Sequence, residues 1–270
     1  MKTSSFAVVL VGFLTVTAAF AAERIELASG DAKCVVDTQG ARIVSYSVGG
    51  REQLWMPPDD SDRNPIWRHG GLPLAWPWYG RIGTGDANIH GYAWKHPFAV
   101  KARTADSVVL ELKTAAATLT YGISLGKGLT LRVETANTSA FDFPFAVAFH
   151  PYFRVGERDR TIVEGVGATP MAVTNAVDDG VNFDRVVPRH EYLIRDVARQ
   201  STLRIVAEDS TGVNVWNPGR EKDCPGVIPG DEWRRFVAVE PYARGSNKFF
   251  ALQPGERSVL KMTLEVCRAK

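Results

Sequence analysis

The sequence predicts a single all-β domain, a large antiparallel two-sheet sandwich, and three observations predict it. Short apolar or alternating runs recur along the chain, each bounded by Gly, Pro, Asn or Asp. No amphipathic stretch long enough for a four-turn helix interrupts them. No break in composition and no repeat of fixed period divides the chain, and 270 residues at 45% hydrophobic content suffice for one substantial core.

The elements follow in order. Met1–Lys2 is a short basic start, Phe6–Phe20 an almost entirely apolar run, and Ala19-Phe20-Ala21 the small-x-small pattern read by signal peptidase. Met1–Ala21 therefore reads as a secretory signal peptide, leaving 22–270 as one domain that is expected in the periplasm or outside the cell. The run is short for a membrane span, though an uncleaved anchor stays open, and nothing later is apolar enough to cross a bilayer. From Ile25 onward short strands begin. Lys33–Val36 and Arg42–Val48 flank the turn Asp37-Thr38-Gln39-Gly40, and Val48-Gly49-Gly50-Arg51 reads as a second turn. Met56-Pro57-Pro58-Asp59-Asp60 ends this meander.

Arg68–Trp94 has neither helical period nor strand alternation, yet it holds three Trp, two Tyr, two His, two Arg and six Gly. It is a shaped loop. Its aromatics either face a ligand or plug one end of the sandwich. Strands resume at Phe98–Arg103, Ser107–Lys113, Ala117–Ser124 and Leu129–Asn137, with Gly126-Lys127-Gly128 as a hairpin turn. Leu129, Leu131, Val133 and Thr135 alternate with Thr130, Arg132, Glu134 and Ala136, the pattern of a half-buried strand. Phe143–Phe149 is apolar throughout, as for a strand that is buried on both faces or lines a pocket. Thr161–Glu164, Val186–Val187, Leu203–Glu208, Gly212–Trp216, Arg235–Glu240, Lys248–Leu252 and Ser258–Val266 complete the set.

Charge and motifs exclude several chemistries. The formal charge of +2 falls to +1 once Lys2 leaves with the signal peptide, and no basic stripe is present, so no nucleic-acid partner is expected. His69, His90, His96, His150 and His190 show no HxH or HxxxH spacing for a metal. There is no G-x-S-x-G elbow and no phosphate loop opening a helix. Cys34, Cys224 and Cys267 allow at most one internal disulfide, of undetermined pairing. What remains is His150 and Glu240, each ending an apolar strand and each followed by Pro-Tyr. Desolvation there raises a carboxyl pKa and lowers that of an imidazole, moving both toward the range of acid–base catalysis. Alternatively each caps a strand end.

Together the pieces resemble a family. His69-Gly70-Gly71-Leu72-Pro73-Leu74-Ala75-Trp76-Pro77-Trp78-Tyr79-Gly80 is similar to the GG-I-P-x-x-W-P-W-F-G segment of the hexose-6-phosphate mutarotases, in the galactose mutarotase-like superfamily. His90-Gly91-Tyr92-Ala93 resembles H-G-F-A, and His150-Pro151-Tyr152-Phe153 resembles H-x-Y-F. Val215-Trp216-Asn217-Pro218, Val237-Ala238-Val239-Glu240 and Leu252-Gln253-Pro254-Gly255-Glu256 resemble V-W-N-P, V-C-V-E and L-x-P-G-E, in the family's order. The resemblance implies a β-supersandwich that interconverts the α and β anomers of a hexose or hexose 6-phosphate, with no cofactor or metal; a monomer is expected, though the sequence does not fix the oligomeric state. It makes Glu240 the general base, His150 the general acid and His90 a residue that hydrogen-bonds the sugar and steadies charge near the ring or anomeric oxygen.

Departures bear on the substrate. The Arg expected before Gly-Gly is His69, and the Arg expected after H-G-F-A is Trp94. Arg68 and Arg81 lie close enough in sequence to substitute. A sugar-binding Asp expected between V-W-N-P and V-C-V-E aligns with Val227 or Ile228, with Asp223 and Asp231 nearby. Export and the aromatic Trp94 both favour a neutral aldose over a sugar phosphate. Two alternatives stand beside the isomerase: an exported carbohydrate-binding domain without turnover, which would not need His90, His150 and Glu240 jointly, and a polysaccharide-cleaving enzyme using Asp223 or Asp231 with Glu240.

Overall fold

A computed structural model describes residues 22–58, 67, 69–82, 89–173, 179–185, 190–220 and 228–267. The signal-peptide segment, Arg68, Val186–Val187, Asp223, Cys224 and Val227 lie outside them.

The described strands pair antiparallel into two facing sheets and two smaller ones. The opening meander is a four-stranded sheet of Arg24–Ser29, Ala32–Asp37, Arg42–Val48 and Arg51–Glu52. The nine-stranded sheet contains Ala99–Arg103 through Leu129–Asn137 at one end and Arg257–Cys267 at its centre. The six-stranded sheet joins Asp179–Arg185, Gly212–Gly219, Phe236–Ala243, Val147–Phe149 and Leu74–Ala75 in that order, with Tyr152–Arg154 also paired to Phe236–Ala243.

The alternation read in Leu129–Asn137 is present: Leu129, Leu131, Val133 and Thr135 are buried. They meet Val213, Val215, Val237, Val239 and Phe149 from the six-stranded sheet in one apolar core. Burial of such side chains contributes about 1.5–3 kcal/mol each and fixes which face of the six-stranded sheet is left over.

One sequence expectation needs correction. Phe143–Phe149 is two strands, Phe143–Phe145 paired with Phe250–Leu252 and Val147–Phe149 in the six-stranded sheet. The chain switches at Ala146, whose N–H is taken by the Pro77 carbonyl at 2.8 Å. Asp179–Arg185 and Glu191–Asp196 are strands although their polar composition hides them. Cys34, buried, and Cys267, exposed, are both free thiols and do not pair with each other.

Candidate functional site

The site lies on the outer face of the six-stranded sheet. Because side chains alternate along a strand, the Val237 and Val239 that enter the core force Ala238, Glu240 and Tyr242 to the opposite face. Register then carries this face across the sheet. Glu240 is opposite Asn214, which is opposite Asp184. Tyr242 is opposite Ala148, which is opposite Ala75. His150 follows directly after Val147–Phe149, its N–H held by the Pro73 carbonyl at 3.0 Å. The small Ala75, Ala148 and Ala238 keep the floor low between the polar groups.

The loop ending at Trp94 roofs this floor because it folds back on itself. Trp76 bridges to Gly91, and Arg81 to Ile89. The His90 N–H bonds the Gly80 carbonyl at 3.0 Å, and the Tyr92 N–H bonds that of Trp76 at 2.9 Å. The crossing is tight at Gly91, where φ is +74° and a Cβ would lie 2.0 Å from the Trp76 oxygen, so only glycine fits. His90 beside it is itself held at φ 57°, a left-handed conformation that costs a non-glycine residue about 1–3 kcal/mol and is characteristic of functional sites. The two expectations for the aromatics are divided among residues. Trp76 plugs the core, donating to Thr135 Oγ1 at 3.0 Å, whereas Tyr79 reaches the floor.

Three sequence candidates converge. His150 Nε2 is 3.4 Å from Glu240 Oε2, and the His90 ring stands edge-on to His150 at 5.0 Å. All three are buried, at 8%, 4% and 1% exposure for His90, His150 and Glu240. Burial therefore dominates their charge states. It lowers His150 well below the usual imidazole value, helped by the neighbouring His90 and His69. It raises Glu240 to about 8 against a Tyr79 hydrogen bond that acts to lower it, with Asp184 adding to the rise. Burial thus works against the charged form of both partners in the close contact of His150 and Glu240.

His90 is held down to about 3 by burial, then by His69 and Arg81. Its Nδ1 accepts the Gly80 N–H at 3.3 Å. That contact assigns the proton of the neutral ring to Nε2, which is then a donor.

The other candidates sit less centrally. His69 is buried with its ring edge-on to Tyr152 at 6.0 Å, and its carbonyl accepts from Arg42 at 2.6 Å. Arg81 is exposed, and its charge acts on His90. Trp94 is buried edge-on to Trp67 at 5.8 Å, with its N–H on the Gly91 carbonyl and Lys95 Nζ over its ring at 4.9 Å. Asp231 is exposed in the turn before the 3-10 segment Glu232–Arg235, and no hydrogen bond joins it to the site.

Four residues that sequence reasoning missed complete the site. Tyr79 Oη donates to Glu240 Oε2 at 2.7 Å. Tyr242, stacked on Tyr79 at 5.3 Å, donates to Asp184 Oδ1 at 2.7 Å, and Arg244 also donates to Asp184. Trp67 lies against both imidazoles, 4.6 Å from His90 and 5.4 Å from His150. Asn214 presents Oδ1, which like Glu240 Oε1 is a buried acceptor with no hydrogen-bond donor among the described residues. A signal for Asn214 was available. In Gly212–Trp216 it is the polar residue between two valines, on the face that Trp216 shares.

A family model described as aldose 1-epimerase matches residues 23–265. A candidate glucose-6-phosphate 1-epimerase of Salmonella typhimurium is 28% identical over 260 residues, covering 86% of this chain and 85% of its own. A candidate enzyme of the same name from Escherichia coli K12 is 28% identical over 244 residues, covering 80% and 82%. Among solved structures, a candidate mutarotase of Salmonella typhimurium superposes with a TM-score of 0.77 at 24% identity, covering 92% of this chain and 91% of that one. A candidate aldose 1-epimerase of Escherichia coli K12 gives a TM-score of 0.72 at 14% identity, covering 91% and 99%.

Proposed function

This chain belongs to the aldose 1-epimerase family, and from that premise we propose that Glu240 and His150 carry its sugar isomerisation, the exchange of α and β anomers. The observation behind the assignment is that the two buried side chains meet at 3.4 Å. The reaction requires one group to take the proton of the anomeric hydroxyl while another delivers a proton to the ring oxygen. Both oxygens are bonded to C1, so acid and base must converge as these two do.

With the cyclic sugar bound, the proton is written on His150 and Glu240 is the carboxylate. Glu240 removes the hydroxyl proton, the bond between C1 and the ring oxygen breaks, and His150 protonates that oxygen. The free aldehyde faces a neutral imidazole and a protonated Glu240, the arrangement burial already favours. Rotation about C1–C2 and reversal of the transfers close the other anomer. His90, donating through Nε2, steadies charge on the ring or anomeric oxygen. The open acceptors Glu240 Oε1 and Asn214 Oδ1 suit a polyol, whose hydroxyls supply the donors. A module that only bound glycans would gain nothing from a desolvated acid–base pair.

We further propose a neutral aldose as substrate, although the curated relatives are named for glucose 6-phosphate. His69 and Trp94 occupy the two positions where the resemblance places phosphate-binding Arg, and Arg244 beside Tyr242 is already paired with Asp184. In exchange NMR, kcat/KM for α-D-glucose or α-D-galactose is expected to exceed that for glucose 6-phosphate by about tenfold or more, because neither His69 nor Trp94 offers a phosphate the bidentate fork of an Arg. A preference for the phosphate would overturn this specificity. The signal-peptide reading adds export, where free sugars rather than sugar phosphates are met. Expressed in a Gram-negative host, the protein is expected in the periplasmic fraction with an intact mass beginning at Ala22; a cytosolic, unprocessed chain would refute it.

A further inference from the structure

The Tyr79 hydroxyl has no counterpart in the W-P-W-F-G pattern that the segment resembles, where a Phe stands. In this chain that one oxygen lies 2.7 Å from Glu240 Oε2. We propose that Tyr79 is a positioning residue that holds Glu240 by Oε2 and turns Oε1 toward the anomeric hydroxyl, an inference that rests on Glu240 being the base.

The phenol is itself fixed. Its ring is stacked on Tyr242 at 5.3 Å and 26°, and lies against His90 at 5.4 Å and 36°. Tyr242 in turn is held by its bond to Asp184 and by the Arg244 guanidinium 4.4 Å over its ring. The Asn214 side chain hydrogen-bonds Tyr79 from the neighbouring strand, and burial keeps the phenol protonated far above neutral pH. The phenol therefore donates to Glu240, and its bond favours the carboxylate form against desolvation.

The groups facing Glu240 are few. Tyr79 comes from the loop, Asn214 and beyond it Asp184 from the neighbouring strands, and His150 with His90 behind it from the other side. The nearby Arg244 is neutralised by Asp184. Without the phenol, Oε2 would retain only His150, at 3.4 Å, among the described residues.

The test is Tyr79→Phe, which keeps the stacked ring and removes one atom. The Glu240 carboxyl is titrated by 13C NMR of glutamate-labelled protein, assigned with Glu240→Gln, alongside kcat and KM for glucose anomer exchange. Loss of a donor to the carboxylate is expected to raise the Glu240 midpoint by about one pH unit and to lower kcat near neutral pH about tenfold. KM should stay within about twofold, since the contact is to the base and not to sugar. An unchanged carboxyl titration and kcat, with Glu240→Gln inactive, would overturn the proposal. So would a rise in KM alone, which would make Tyr79 a substrate contact. Full activity in Glu240→Gln would instead remove the reading of Glu240 as base, whatever Tyr79 does.

Discussion

Glu240→Gln is expected to slow anomer exchange by about three orders of magnitude or more, the upper part of the range for a positioned general base. Gln keeps the size and the contact with Tyr79 but cannot accept the anomeric proton. The effect should fall on kcat, with KM little changed. The same variant carries a signature in stability. Glu240 is raised to about 8 from an ordinary value near 4.5, so the folded protein binds the proton more tightly than the unfolded chain does. The contribution of Glu240 to native stability is therefore full below about pH 4.5 and is lost as pH rises through 8, at on the order of 1.4 kcal/mol per pH unit at most. Gln has no such proton to lose. Thermal unfolding at pH 5 and pH 9 should show the variant gaining on the wild type at the higher pH. A constant difference between them would refute the raised carboxyl.

His150→Asn is expected to lower kcat about a hundredfold or more, because the ring oxygen then lacks its proton donor. The loss exceeds what packing explains. His150 lies parallel to Tyr152 at 5.0 Å and near Trp67 and Trp216, and Asn fills part of that slot without carrying a proton at any working pH. Because Glu240 and His150 transfer their protons in the same ring-opening step, the losses should not add. The double variant should be little slower than Glu240→Gln, as expected for two groups acting in one step. Independent, multiplicative losses would mean that the two do not exchange a proton in the reaction.

Much of the fold was legible because the core strands announce themselves. The alternation of Leu129–Asn137 and the apolar run around Val237–Val239 follow directly from having one face in the core. The acid–base pair was legible for the same reason in reverse: His150 and Glu240 are ionisable groups at the ends of strands otherwise made of valine, alanine and phenylalanine. What stayed hidden depends on register. Nothing local says that Asn214 lies opposite Glu240 and Asp184, since that follows from pairing between distant segments. Asp184 itself sits in a strand whose composition reads as loop. The neighbours of Trp94 were hidden in the same way, since its contacts with Trp67 and Lys95 follow from how the loop folds. Tyr79 was passed over because its ring matches the apolar position of a motif, and only the three-dimensional arrangement shows where its hydroxyl ends.

The central claim, that a buried acid–base pair opens and recloses an aldose ring, is tested most directly by exchange NMR of glucose at anomeric equilibrium. The protein should raise the rate of α-to-β exchange well above that of buffer, on at least one neutral aldose, and Glu240→Gln at the same concentration should leave the buffer rate. Sugar binding without any acceleration, or acceleration that persists in Glu240→Gln, would contradict it.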